Sequence, residues 1–319
     1  MSSLEKVFRD EIKNSEISTE VKRFHQKDSF KGFQSLFADW LLIVIGVCIS
    51  YFGSPWFLPL SLIIIGSRQR ALSNLIHDGA HYNLFQVKRN LSDMIVNVMA
   101  AYPAFESVEG YRKSHAGHHL FLGTTKDPDA KKHHECGYDD ISPKKGPFHR
   151  VYGSLVLNFI SWKQSIGLDL SLKDKSTLKA ALWWALVVTG LSLISPLFAL
   201  YAISLWWGAR ATTYHLIRVF AEYMDHTGLA MGSTFSFTRN IPGAGPLRHI
   251  VHPHFDNYHL VHHLFPAIPH YNLRSAHKLL MKTSFTYRRA HHCDSYIWGK
   301  SSAISSWCGE NHQAKELPA

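Results

Sequence analysis

The stretch WLLIVIGVCISYFGSPWFLPLSLIIIG, Trp40–Gly66, carries no charged residue in 27 positions. An uncharged apolar run of that length exceeds what one core helix needs and reads as membrane-spanning. Gly53-Ser54-Pro55 interrupts it with turn chemistry. The block therefore predicts a tight hairpin with spans at about 39–53 and 56–76. A second block, from Leu178 to about Tyr214, repeats the design. Ser195-Pro196 divides it into spans at about 178–194 and 197–215, and between Ala180 and Tyr214 only Arg210 is charged. The chain is accordingly expected to be an all-α integral membrane protein with four transmembrane helices in two hairpins. Trp40, Trp56, Trp183, Trp184, Trp206 and Trp207 fall near the expected span ends, as interfacial aromatics do.

Composition agrees with this reading. Apolar residues make up 46% of the 319-residue chain and charged residues only 18%, below the quarter usual in soluble proteins. Residues 1–35 read as a polar leader, amphipathic or partly disordered, with Lys6, Arg9, Lys13, Lys22, Arg23, Lys27 and Lys31 and no apolar core of the signal-peptide kind. The positive-inside rule keeps that segment cytoplasmic. With two hairpins, the 77–177 segment and everything after 215 share its side. A single membrane domain is expected over 36–290 and a polar C-terminal tail over 291–319. Residues 131–149 read as loop, and 150–168 as a helix lying along the membrane surface. The net charge of +10 suits an anionic leaflet or an acidic protein partner. No basic and aromatic module of the kind that binds nucleic acid is present. The four cysteines, Cys48, Cys136, Cys293 and Cys308, show no CxxC pairing.

The chemistry lies in the histidines. They cluster as His77-Asp-Gly-Ala-His81, His115-Ala-Gly-His118-His119 and His259-Leu-Val-His262-His263, each directly beyond an apolar block or a loop following one. Spacings of three and four residues put imidazoles on one helical face, a turn apart. Packing does not account for the HxxHH pattern recurring 144 residues later. Neutral imidazole is a ligand for zinc, copper, iron and nickel. Zinc is satisfied by four ligands, often with thiolate; eight or nine nitrogens without cysteine suggest two ions. His133-His134, His149, His291-His292 and His312 read as solvated loop residues, His215 as structural. Pro253 prevents His249, His252 and His254 from sharing a helical face.

With their flanks, these motifs make the chain resemble the membrane fatty acid desaturase superfamily, marked by three histidine boxes. The match includes His77-Asp-Gly-Ala-His81-Tyr-Asn-Leu-Phe, Tyr111-Arg-Lys-Ser-His115-Ala-Gly-His118-His119 with Asp127-Pro-Asp129 following, and Asn257-Tyr-His259-Leu-Val-His262-His263-Leu-Phe-Pro. It covers roughly residues 35–285. The resemblance implies a helical cytoplasmic cap holding a di-iron site (Fe2+/Fe3+). It also implies a further histidine ahead of the third box, here His226, and a residue that touches the metal through water, here Glu222. Asp225, Asp78, Asp127 and Asp129 are candidates to orient the ligands. The implied reaction is O2-dependent removal of two hydrogens from a fatty acyl chain carried by lipid, CoA or carrier protein. A hydroxylase or acetylenase on the same scaffold, or a histidine-rich metal-binding membrane protein, are the alternatives. Flavin, NAD and haem motifs are missing, as is the His-Pro-Gly-Gly signature of a fused cytochrome b5. An external ferredoxin- or cytochrome-type donor is therefore expected, along with membrane lipid and an acyl carrier protein as partners.

Overall fold

The computed structural model describes residues 3–13, 17–137, 148–167 and 175–307. It is all-helical apart from two short strands, Arg239–Asn240 and His291–His292, which pair in parallel. Cys308, His312 and the last residues of the expected tail lie outside the described residues, as do positions 138–147 and 168–174.

Both expected hairpins form for the anticipated reason. The Ser29–Cys48 helix starts at Asp28, whose side chain accepts from the Phe30 and Lys31 amides, and it continues as a π-turn, Ile49–Gly53. Ser54 then caps a 3₁₀ turn opened by Pro55, and the Leu58–Ala80 helix runs back. In the second hairpin Ser195 ends the Lys175–Ile194 helix and caps Pro196–Ala209 through the Phe198 amide. That helix runs on through a π-turn, Arg210–Tyr214, into His215–His226. Among the described residues two helices, Ser29–Gly53 and Lys175–Ile194, are long and apolar enough to cross a membrane. Pro196–Ala209 is too short alone, and the outer half of Leu58–Ala80 carries Arg68, Gln69 and Arg70.

The helices pack closely where the hairpins meet. At Gly66 a Cβ would lie 2.7 Å from the Tyr214 nitrogen, so only glycine lets the Leu58–Ala80 helix approach the π-turn. Trp40 and Trp206 stack on each other with ring centroids 5.7 Å apart, and Trp206 is buried; these two serve the core rather than an interface. Trp56, 91% exposed at the hairpin turn, fits the interfacial expectation.

Several boundaries differ from expectation. The leader takes the amphipathic form of the two expected, as helices Ser3–Lys13 and Ile17–Phe24, but it packs on the domain: Phe8 and Val21 bury against Phe235, Leu273 and Leu280. The first long helix begins at Ser29, before the expected boundary at 36. The chain does not loosen at 291 either: Cys293, Tyr296 and Ala303 are buried with Val219 and Met224, and the 291–292 strand pairs with 239–240. Residues 128–135 and 148–156 are helical rather than loop, Asp127 capping the first of them. The expected surface helix over 150–168 is two helices, Phe148–Val156 and Phe159–Ile166, broken at Asn158, which caps the second.

Candidate metal centre

Four helices carry the nine candidate histidines to one place. His77 lies in the last turn of Leu58–Ala80 and His81 is its C-cap residue. His115, His118 and His119 lie on Val108–Phe121, His226 ends His215–His226, and the third box forms the short helix His259–Leu264. Two groups result. His77, His81, His115, His119 and His262 form one; His118, His226, His259 and His263 form the other. In each, ligand atoms lie within 4.8 Å of one another. Each HxxHH box is thus shared. Residues i and i+4 of the second box point into the five-histidine group and i+3 into the other, while the third box does the reverse.

The nitrogen geometry fits metal better than hydrogen bonding. The Nε2 atom of His77 lies 2.9 Å from that of His115 and 2.8 Å from that of His262. The Nε2 of His119 lies 2.9 Å and 3.1 Å from the same two. A ring nitrogen carries at most one proton, so this closed circuit of four contacts can hold only two hydrogen bonds. Two nitrogens each about 2.1 Å from one ion and at right angles lie about 3.0 Å apart, matching the circuit. His81 Nε2 is buried without a hydrogen-bond partner. In the second group His259 Nε2 lies 3.0 Å from both His226 Nε2 and His263 Nε2, and His118 Nε2 lies 3.3 Å from His263 Nε2.

Neighbouring groups fix which ring nitrogens face inward. His226 Nδ1–H donates to the Phe237 carbonyl at 2.7 Å, and His118 Nδ1–H donates to both Asp127 oxygens at 3.0 Å. A carbonyl and a carboxylate only accept, so both rings turn an Nε2 lone pair toward the cluster. Burial, then the like charge of other imidazoles, drives His77, His115, His262 and His263 well below the ordinary histidine pKa. Burial is also the first cause at His81 (lowered to about 4), His119 (about 2), His226 (about 4) and His259 (about 3). These rings are neutral at pH 7, the form that ligates. His118 goes the other way. Burial lowers it, but the Asp127 hydrogen bond and the charges of Asp129 and Asp127 outweigh that and raise it.

The remaining expected residues divide. Asp127 and Asp129 stand behind His118, the latter at 3.4 Å. Asp225 lies 4.0 Å from His259 Nδ1. Asp78 acts on the cluster by charge alone, raising His81 against the burial that lowers it, while its Oδ2 accepts from His270 at 2.7 Å. Glu222 joins neither group, because Arg218, one turn earlier on the same helix, holds its carboxylate at 2.6 Å. His215 is structural as expected, bonded to Ser165 and the Val156 carbonyl. Two histidines expected in solvent have partners instead: His133 stacks on Tyr223, and His292 bonds the Tyr287 carbonyl.

Two contributors were not legible in the sequence, Asp256 and His252. Asp256 Oδ1 lies 3.7 Å from His77 Nδ1, while its Oδ2 accepts from Arg70 at 2.9 Å. His252 is fully buried, with Nδ1 2.8 Å from the Tyr296 hydroxyl and Nε2 3.3 Å from Asp225. Asp256, three residues before His259, was the available signal for the first of these.

The fatty acid desaturase family model matches residues 53–295. Over 254 residues the chain is 30% identical to the dihydrorhizobitoxine desaturase of Bradyrhizobium elkanii, covering 74% of this chain and 70% of that protein. The chain belongs to the fatty acid desaturase family. It is a desaturase-like oxidoreductase whose histidines are grouped as a metal centre requires.

Proposed function

We propose that this chain is an O2-dependent, di-iron fatty acyl desaturase of the membrane. The observation that carries the reading is the convergence of nine histidines into a group of five and a group of four. In this reading His77, His81, His115, His119 and His262 hold one iron, and His118, His226, His259 and His263 hold the other. Bound there, the iron pair would supply the dioxygen activation that breaking an unactivated C–H bond requires. Overall, two hydrogens leave adjacent carbons, and with O2, two electrons and two protons they leave as two waters. An external ferredoxin- or cytochrome-type protein supplies the electrons.

The chain's own residues hold that centre in shape. Asp127 keeps the proton of His118 on Nδ1. Asp256, anchored by Arg70, backs His77, and Asp225 with His252 backs His259. Tyr111 stacks on His115 and meets His77 edge-on, and burial raises its hydroxyl pKa far enough to keep it protonated.

The membrane reading has its own support. Leu182, Leu186, Leu193, Ile194, Leu197 and Leu200 are all exposed on the second hairpin, a surface that suits lipid and not water. We place spans at about 39–53, 56–76, 178–194 and 197–215, with both clusters in a helical cap on the cytoplasmic side. The 36–290 region is the catalytic domain, and the acyl group arrives on lipid, CoA or a carrier protein. Gas chromatography–mass spectrometry of lipids from a host expressing the chain tests this. A new acyl species lighter by two hydrogens is expected. One heavier by a single oxygen would make the protein a hydroxylase, and an unchanged profile in a host supplying a competent donor would remove the enzymatic reading.

A further inference from the structure

Away from the metal centre, a cavity of about 510 Å³ opens where the polar leader meets the first long helix. Its walls come from three separate parts of the chain: residues 23–31, Gln86 beyond the first histidine box, and Tyr271 with Asn272. These parts are tied together. The Asp28 amide donates to the Tyr271 hydroxyl at 2.6 Å, Asn272 Nδ2 to the Phe24 carbonyl at 2.9 Å, and the Gln86 amide to Ser29 Oγ at 2.7 Å. The cavity is therefore built, not a chance gap between loops.

Three cations line it: Arg23, Lys27 and Lys31. None of them has a carboxylate within ion-pair distance among the described residues. The one acid in the wall, Asp28, already accepts from the Phe30 and Lys31 amides. Lys31 sits 4.8 Å above the Tyr271 ring, which leaves its ammonium directed but without a counter-charge. Gln86, Asn272 and the Tyr271 hydroxyl add neutral polar groups. Three cations against one carboxylate leave the wall with a net positive charge among polar groups, which suits a phosphate ester.

The same helix continues with an exposed apolar stripe. Phe30, Phe33, Phe37 and Leu41 are each at least 46% exposed and recur at three- and four-residue spacing. From Lys31 to Leu41 the stripe runs about 15 Å. A ligand with a phosphate head and apolar chains would match both surfaces. We propose that this cavity binds a phosphate ester, and that its ligand is the headgroup of an anionic phospholipid whose chains lie along that stripe. The lipid assignment rests on the reading of Ser29–Gly53 as a membrane helix; the phosphate site does not.

The full chain, purified with its metal in a non-ionic detergent, is incubated with phosphatidylglycerol, phosphatidylcholine or chain-free glycerol 3-phosphate, and retained ligand is counted by native mass spectrometry. Phosphatidylglycerol should bind, phosphatidylcholine more weakly, and glycerol 3-phosphate should not displace the lipid. The combined variant Arg23→Gln, Lys27→Gln, Lys31→Gln should weaken phosphatidylglycerol at least about tenfold. Lys27→Arg with Lys31→Arg should retain it, and metal content should be unchanged in both. Equal lipid retention by the triple glutamine variant would overturn the site. Glycerol 3-phosphate binding as tightly as the lipid would overturn the lipid assignment and make the ligand a soluble phosphate ester. Because lipid retention and metal content are read separately, loss of lipid binding with metal retained leaves the desaturase reading standing, and loss of metal with lipid retained leaves the phosphate site standing.

Discussion

Asp127→Asn isolates the contribution of one supporting carboxylate. Asp127 and His118 are both almost fully buried, and His118 Nδ1 lies 3.0 Å from each Asp127 oxygen. Asparagine keeps the size and can still present a carbonyl oxygen, but it removes the charge that makes His118 a better donor to metal. Loss of such a partner costs roughly 10- to 100-fold in metal affinity, or about 1.4–2.8 kcal/mol. Solvent screening does not reduce the figure at so buried a pair. Alanine would be less informative, because Asp127 also caps the 128–135 helix through the Asp129 amide, worth about 1 kcal/mol more. The assay is chelator competition on purified protein with metal content followed by elemental analysis. His118 belongs to the four-histidine group alone, so one ion should become labile while the other resists. Identical chelator resistance for both ions in variant and parent would refute the reasoning, as would equal weakening of both.

Other expectations follow from the same geometry. His118→Ala and His262→Ala should each abolish desaturation, removing a ligand from the four- and five-histidine groups respectively; product formation in either variant would contradict the assignment. Glu222→Gln should leave metal content intact, since that carboxylate is held by Arg218, and elemental analysis of the variant checks this. Gly66→Ala should lower the melting temperature, at a cost of about 1–3 kcal/mol, because the added Cβ meets the backbone at Tyr214. His277, remote from the clusters and bonded to the Tyr287 hydroxyl, has its pKa lowered to about 4, by burial and then by His292. Between pH 6.5 and about 4 the unfolded chain binds the proton and the folded chain does not. Its contribution to stability is thus full above 6.5 and is lost as pH falls through that window. His277→Asn should flatten the acid limb of an unfolding titration there.

Much of the site was legible because helical spacing is a local property. Imidazoles at i, i+3 and i+4 must share a face whatever surrounds them, so His115, His118 and His119 could be joined from sequence alone. Their division between two groups could not, since it depends on where the third-box helix docks. The Arg218–Glu222 pair follows a local rule, since opposite charges one turn apart on a helix meet. Asp256 and His252 sit on irregular backbone between residues 239 and 258, where no period exists to read. His254 there adopts φ 59°, which turns its ring onto buried Asp39 of the first long helix at 2.7 Å. Ser54-Pro55 and Ser195-Pro196 announced both hairpin turns through capping chemistry. The leader's amphipathic pattern allowed a buried face, but that Phe8 and Val21 pack on Phe235 and Leu273 is tertiary and has no local signal.

In the proposed reading, nine histidines make two separate iron sites. Elemental analysis of the purified full chain tests it most directly, alongside His81→Ala from the five-histidine group and His226→Ala from the four-histidine group. Two irons are expected in the parent, with one selectively weakened in each variant. A parent holding a single ion, or zinc in place of iron, would contradict it.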